Sequence, residues 1–205
     1  MLISDQFPLL LGSASPRRRD LLSGLGLPIR VFPRDIDESV RAGEGAMAYL
    51  ERIVEAKQVA VWNEFSTEPE PPFTAILVAD TVVVLDEQIL GKPTDIAHAF
   101  LLLQKLAGRT HRVMTRFVLR DRNPLGPKIG HTVTTEVTLA NPGETCLRRY
   151  AATGEGLDKA GAYAAQGIGA FLVERLVGSY TNVVGLPVSH VVEALVSAGW
   201  LKDFP

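Results

Sequence analysis

The amino-acid sequence predicts a mixed α/β fold on three observations. Short apolar, β-branched runs alternate with stretches of helical periodicity. One run, Thr74 to Leu85, is apolar almost without interruption, as expected of a central strand covered on both faces. Two long strand-like stretches, Thr110 to Arg120 and Lys128 to Leu139, follow one another across the turn-forming Asn123-Pro124-Leu125-Gly126-Pro127, which predicts an antiparallel pair in a mixed sheet. At 205 residues the chain is expected to form a single domain over 1–205, either one compact unit or one with two lobes around a cleft.

The elements follow in order. Phe7-Pro8-Leu9-Leu10-Leu11 reads as a buried strand ending at Gly12. Ser15 is a good N-cap and Pro16 suits the first helical position, where its missing N–H costs nothing; Gly24 and Gly26 end that helix. A short strand around Ile29 to Phe32 leads into the acidic Asp35-Ile36-Asp37-Glu38. From Ala46 to about Phe65, Leu50, Ile53, Val54, Val61 and Trp62 recur at helical spacing around Lys57, and a Pro-rich loop, Ser66 to Pro72, follows. Beyond the central strand, Asp86-Glu87 predicts a hairpin-like turn, and a helix runs from about Thr94 to Leu106 with Gly108 as its stop. Further on are a helix from about Gly143 to Ala152, a Gly-rich segment to Gly169, a strand from Ala170 to Val177 and a helix from about Pro187 to Ala198.

Composition excludes several classes. Hydrophobic residues at 46% and charged residues at 21% supply a core, which rules out disordered and collagen-like chains. A formal charge of -2 offers no general attraction to nucleic acid or an anionic membrane, so no nucleic-acid or membrane partner is expected. The one cysteine, Cys146, cannot form an internal disulfide, and no basic-then-apolar leader opens the chain; a cytoplasmic location is expected, with Cys146 a buried, inert thiol. No apolar run approaches the roughly 18–20 residues of a membrane span. His98, His111, His131 and His190 lack metal-ligand spacing and read as surface or packing residues.

Three features point to chemistry. In Gly12-Ser13-Ala14-Ser15-Pro16-Arg17-Arg18-Arg19, a small-residue turn meets a helix N-terminus, so backbone N–H groups, the helix dipole and arginines face one point where an anion could sit. The bland reading is a Ser-Pro helix start followed by a solvated basic turn. Asp80 lies inside the apolar strand with no basic partner near in sequence; a lone buried carboxylate costs many kcal/mol, so it must meet a cation, a metal or a cavity, or else form a structural salt bridge. Gly156 to Gly167 is polar and Gly-rich, as binding-site loops often are, and equally fits a structural loop.

Ser13-Ala14-Ser15-Pro16-Arg17-Arg18, Asp37-Glu38, Glu55-Ala56-Lys57, Ala79-Asp80-Thr81, Gly91-Lys92-Pro93, Leu157-Asp158-Lys159-Ala160-Gly161-Ala162-Tyr163, Gln166-Gly167 and Gly178 to Pro187 occur in the order seen in the Maf family of nucleoside triphosphate pyrophosphatases, which the chain resembles over nearly its whole length. The resemblance implies a two-lobed mixed α/β fold related to the inosine triphosphate pyrophosphatases. It also implies hydrolysis of a nucleoside triphosphate to monophosphate and pyrophosphate, and a divalent metal, Mg²⁺ or Mn²⁺. Asp80 matches the family's catalytic aspartate; Ser13, Arg18, Glu38, Lys57 and Lys92 match its other polar site positions. Arg17, Thr81 and Gln166 resemble the branch acting on dTTP and UTP. A glutamine amide both donates and accepts, matching the O4 and N3–H edge of uracil or thymine. Gly12 stands where Ala is common, and Ala164-Ala165 replace the usual Gly-Ile.

The resulting expectation is a phosphate clamp of Arg18, Lys57, Lys92 and the helix N-terminus after Ser15, a metal held by Glu38 and Asp80, and Asp80 as general base. Resemblance also implies a homodimer, although no self-complementary patch is evident in the sequence. The competing reading is a regulatory protein that binds nucleic acid or a partner in septum or division control.

Overall fold

The computed structural model describes residues 1–65 and 72–204. Its strands are β1 (Leu9–Leu11), β2 (Ile29–Val31), β3 (Ala75–Leu85), β4 (Gln88–Leu90), β5 (Thr110–Asp121), β6 (Lys128–Leu139) and β7 (Val173–Val177); its helices are α1 (Pro16–Ser23), α2 (Ala46–Phe65), α3 (Ile96–Leu106), α4 (Glu144–Ala152), α5 (Tyr180–Val184) and α6 (Val188–Ser197). The sheet is mixed, in the order β2-β1-β3-β5-β6-β7, with β4 paired to β3. Parallel pairing places Leu10 opposite Arg30 and Ile76, while β4 returns antiparallel, with Val84 opposite Ile89. Asp86 and Glu87 make that return with φ of 48° and 63°, as a tight hairpin turn requires. The six-residue connection between neighbours β5 and β6 is too short for a parallel crossover, so that pair is antiparallel as expected.

The chain divides into two compact units. The first comprises Met1–Asp80, Thr115–Thr132 and Gly185–Pro205, the second Thr81–Met114 and Val133–Val184. In the first, the period-2 alternation of strand side chains separates two apolar clusters. Leu9, Leu11, Leu77 and Ala79 pack with Leu22 of α1, Val191 and Leu195 of α6 and Trp200. Leu10, Ile76 and Val78 pack with Val54 and Val61 of α2, Phe73 and Val118. Burial on both faces is why the central run is apolar throughout. The second unit has one core, where Val83, Leu85, Val113, Val137 and Leu139 meet Leu103 and Leu106 of α3 and Leu147 and Tyr150 of α4.

Several boundaries differ from the sequence reading for physical reasons. Asp95 caps α3, its Oδ1 accepting the His98 N–H at 2.7 Å, so the helix begins at Ile96. The strand expected from Ala170 begins at Val173, because residues Gly167–Leu172 coil into a 3-10 turn whose amides bond a side chain outside the segment. Helix α5 was not expected; Asn182 on it is fully buried and donates to the Val113 carbonyl and Thr135 Oγ1 at 3.0 Å each. Cys146 is half-buried on α4 rather than enclosed. The Pro-rich loop, Ser66 to Pro72, lies outside the described residues except for Pro72. Among the described residues no helix is long and apolar enough to cross a membrane.

Candidate active site

Strand alternation decides which way Asp80 faces. Ile76 and Val78 pack toward α2, and Asp80 continues their row. On α2, Val54 and Val61 cover that row, and Lys57 lies between them at helical spacing, on the same stripe. Lys57 Nζ accordingly donates to Asp80 Oδ1 at 2.7 Å, with side-chain exposures of 11% and 13%. The same ammonium lies 2.7 Å from Glu38 Oε1. One cation thus holds two carboxylates, and the partner that the strand itself could not supply comes from 23 residues earlier.

Glu38 belongs to an irregular segment, and α2 fixes that too. Tyr49 donates its hydroxyl to the Glu38 carbonyl at 3.0 Å. Arg52, one turn on, bonds Glu44 through Nε and Nη2 at 2.6 Å each and reaches the Ser39 carbonyl at 2.9 Å. The fork from Arg52 holds the Glu44 carboxyl down to about 2. Burial, reinforced by the charges of Asp80 and Glu38, raises the Tyr49 phenol above its ordinary range, so it stays a neutral donor. Tyr49 and Arg52 escape a sequence reading aimed at charged clusters; their signal is an i, i+3 pair on the helix that carries Lys57.

The Gly12–Arg18 turn is tied to the same strand. Ser15 is the N-cap of α1 and Pro16 its first residue, yet the Ser15 hydroxyl makes no capping bond. Ser13 Oγ instead accepts the Ser15 N–H at 3.3 Å and Arg18 Nη1 at 3.0 Å. Arg18 is 7% exposed; its Nε donates to the Gly185 carbonyl at 2.8 Å and its Nη1 also to the Ala79 carbonyl at 2.9 Å. One guanidinium nitrogen therefore bridges the turn and the residue preceding Asp80. Burial lowers the Arg18 pKa, while the Asp80 charge opposes that fall. Arg17 is half-buried beside it.

Ser13, Ser15, Arg17, Arg18, Glu38, Lys57 and Asp80 all belong to the first unit, and Thr81, Lys92 and Gln166 to the second. Thr81 is half-buried on β3. Lys92 is exposed on the loop after β4, beside Gly91, whose carbonyl accepts the Gly161 N–H at 3.1 Å. Gln166 is exposed and caps the 3-10 turn Gly167–Leu172 in extended conformation.

Glu38 and Asp80 converging on one cationic centre are the donor set that Mg²⁺ or Mn²⁺ accepts: one or two carboxylates, with phosphate and water oxygens completing the shell. The residues fit such an ion, and these two would hold it. Among the described residues no group of three or more His, Cys, Asp or Glu side chains is gathered to hold a metal ion, here or elsewhere, so this carboxylate pair would need phosphate and water oxygens to complete the shell. Chemically, the first unit offers a carboxylate pair, an ammonium and a helix N-terminus, an arrangement able to bind a polyphosphate and take a proton beside it.

Comparison with known proteins agrees with this architecture. The structure resembles that of a HAM1 protein from Coxiella burnetii, with a TM-score of 0.56 at 14% identity, covering 93% of this chain and 99% of that one, a likeness of fold. A protein of Desulfotalea psychrophila named dTTP/UTP pyrophosphatase is 42% identical over 189 residues, 92% of this chain and 93% of its own. One of the same name from Anaeromyxobacter dehalogenans is 43% identical over 193 residues, 94% of each chain. The family model described as Maf-like protein matches residues 8–198, and with relatives this similar covered nearly end to end, the chain belongs to the Maf-like family.

Proposed function

We propose that this protein hydrolyses nucleoside triphosphates, dTTP and UTP foremost, to the monophosphate and pyrophosphate. The observation that carries the reading is Asp80, a carboxylate on a buried strand whose partner is the ammonium of Lys57 rather than a guanidinium, beside the Ser13–Arg18 turn. Relatives at 42% and 43% identity bearing the name dTTP/UTP pyrophosphatase support it.

A triphosphate carries about four negative charges, which Lys57 and the α1 N-terminus answer in the first unit; Lys92, exposed on its loop, is the further cation proposed for the phosphates. Lys57 exchanges a carboxylate for a phosphate oxygen as substrate binds. Water attacks the α-phosphorus, Asp80 takes its proton, the bond from the α-phosphorus to the bridging oxygen breaks, and pyrophosphate leaves. A divalent cation held by Glu38 and Asp80 supplies charge neutralisation for the phosphate oxygens when bound. Arg18 orders the turn by holding Ser13 and Ala79. Gln166, exposed and carrying both a donor and an acceptor, reads the pyrimidine edge, with Arg17 and Thr81 as the accompanying selectivity positions. The lone Cys146 and a nucleotide substrate suit the cytoplasm.

A regulatory nucleic-acid-binding role fits less well, because Glu38 and Asp80 at the centre of the site repel a polyanion. Pyrophosphate release from UTP, dTTP, CTP and 7-methylguanosine triphosphate, with and without Mg²⁺ or Mn²⁺, tests the reading. Turnover of UTP and dTTP well above the other two is the expected result; no release from any of the four defeats it.

A further inference from the structure

The loop carrying Gln166 is held from both sides by two side chains that also bond each other. Glu155, in the turn after α4, accepts the Ile168 N–H on Oε1 at 2.8 Å. Its Oε2 accepts the Gly169 N–H at 2.7 Å and the Tyr150 hydroxyl at 3.0 Å. The same phenol oxygen accepts the Ala164 N–H at 3.0 Å. The amides two residues before Gln166, and two and three residues after it, are thereby anchored to one carboxylate–phenol pair. Tyr150 is 3% exposed on α4, with its ring edge-packed on Phe171 at 6.0 Å, so the phenol is enclosed by packing as well as hydrogen-bonded.

The loop wraps this pair too closely for side chains. A Cβ at Gly167, where φ is +69°, would stand 2.3 Å from Glu155 Oε1. One at Gly169 would stand 2.4 Å from the Tyr150 hydroxyl and 2.6 Å from the Ala164 carbonyl. The Ala164 amide, two residues before the glutamine, is one of those anchored. Burial alone would raise the Glu155 carboxyl, but hydrogen bonds from Gly169, Ile168 and Tyr150 outweigh it and hold the group below the ordinary glutamate range. Lys159 adds a bond from its ammonium to the Glu155 carbonyl.

We propose that Glu155, together with Tyr150, is a positioning residue for base selectivity, acting by fixing the backbone that presents Gln166. The proposal rests on the reading of Gln166 as the residue that recognises the base. Glu155→Gln isolates it with almost no change of shape. Whichever way the new amide is turned, its NH₂ faces either the Ile168 N–H or the Gly169 N–H, so at least one anchor is lost.

The test is a double-variant cycle of Glu155→Gln and Gln166→Ala, read as the ratio of kcat/KM for UTP to that for 7-methylguanosine triphosphate. Loss of one anchoring hydrogen bond is expected to lower the ratio about tenfold in Glu155→Gln, through KM for UTP with kcat within about twofold of the parent. In the Gln166→Ala background the same substitution should change the ratio no further, because its effect passes through Gln166. If Glu155→Gln does not fold, Tyr150→Phe, which releases the Ala164 amide, carries the same cycle. A ratio altered by Gln166→Ala but untouched by Glu155→Gln, or additive losses in the double variant, overturns the proposal and leaves the role of Gln166 standing. A ratio untouched by Gln166→Ala removes Gln166 from base recognition and the proposal with it.

Discussion

Replacing Arg18 with Met should cost stability before it costs chemistry. The guanidinium is buried, and the hydrogen bonds from its Nε and Nη1 go to two main-chain carbonyls, of Gly185 and Ala79, and to Ser13 Oγ. Met fills much of the stem volume but donates nothing, and each buried carbonyl left without its donor costs about 1–3 kcal/mol. Removing a charge from a site where burial already lowers its pKa returns part of that loss. A net loss of about 3 kcal/mol remains, within the range for deleting one member of a buried charged network. For a chain of 205 residues that corresponds to a fall in Tm of about 6–12 °C, and to a urea midpoint lower by roughly 1–3 M at unchanged slope. Arg18→Lys should recover less than half, since an ammonium cannot fork to three acceptors on different segments. Urea unfolding of the three proteins, followed by circular dichroism, decides the matter. A midpoint shift in Arg18→Met equivalent to less than about 1 kcal/mol would refute the reasoning and return Arg18 to the role of a phosphate ligand held in reserve.

Three further outcomes follow from the packing. Gly12→Ala places a Cβ 2.7 Å from Val78 Cγ1 and 2.8 Å from Val61 Cγ2, both on stiff side chains, so a loss of about 1–3 kcal/mol is expected; an unchanged Tm counts against the close approach. Burial holds His111 down to about 4, so the folded protein keeps this imidazole neutral while the unfolded chain protonates below about pH 6.5. The unfolded state then binds the extra proton, and stability falls as pH drops from 6.5 to 4, by about 3 kcal/mol at the lower end. Urea midpoints at pH 7 and pH 4 should show that loss in the parent and a smaller one in His111→Gln; equal losses contradict it. Asp95→Ala removes the side-chain cap of α3 and should cost about 1 kcal/mol by thermal unfolding, with no change at all as the contrary result.

What could be read from the sequence was whatever local chemistry decides. Ser15-Pro16 starts α1, the spacing of Leu50, Ile53, Val54 and Val61 forms α2, and the unbroken apolar run forms a strand covered on both faces. The need of Asp80 for a cation was also legible, because burying a carboxylate alone is prohibitive, and the resemblance had already marked Lys57. The rest depended on partners far along the chain. Arg18 looks like an exposed member of a basic turn until Ala79 and Gly185, 61 and 167 residues away, take up its hydrogens. Helix α5 has only five residues, too few for a periodic signal, and Asn182 anchors it to Val113. Residues 170–172 read as the start of a strand, but Glu155 captures the amides of Ile168 and Gly169 just before them and the segment coils instead.

The proposed function turns on Asp80 taking a proton from water beside the Lys57 ammonium, and steady-state kinetics of Asp80→Asn with UTP measure that most directly. Asn keeps the shape and can still accept a bond from Lys57 but is no base, so kcat should fall 10²–10⁴-fold, about 3–5 kcal/mol of barrier, with a much smaller change in KM. Turnover near that of the parent in a folded Asp80→Asn protein would contradict the account.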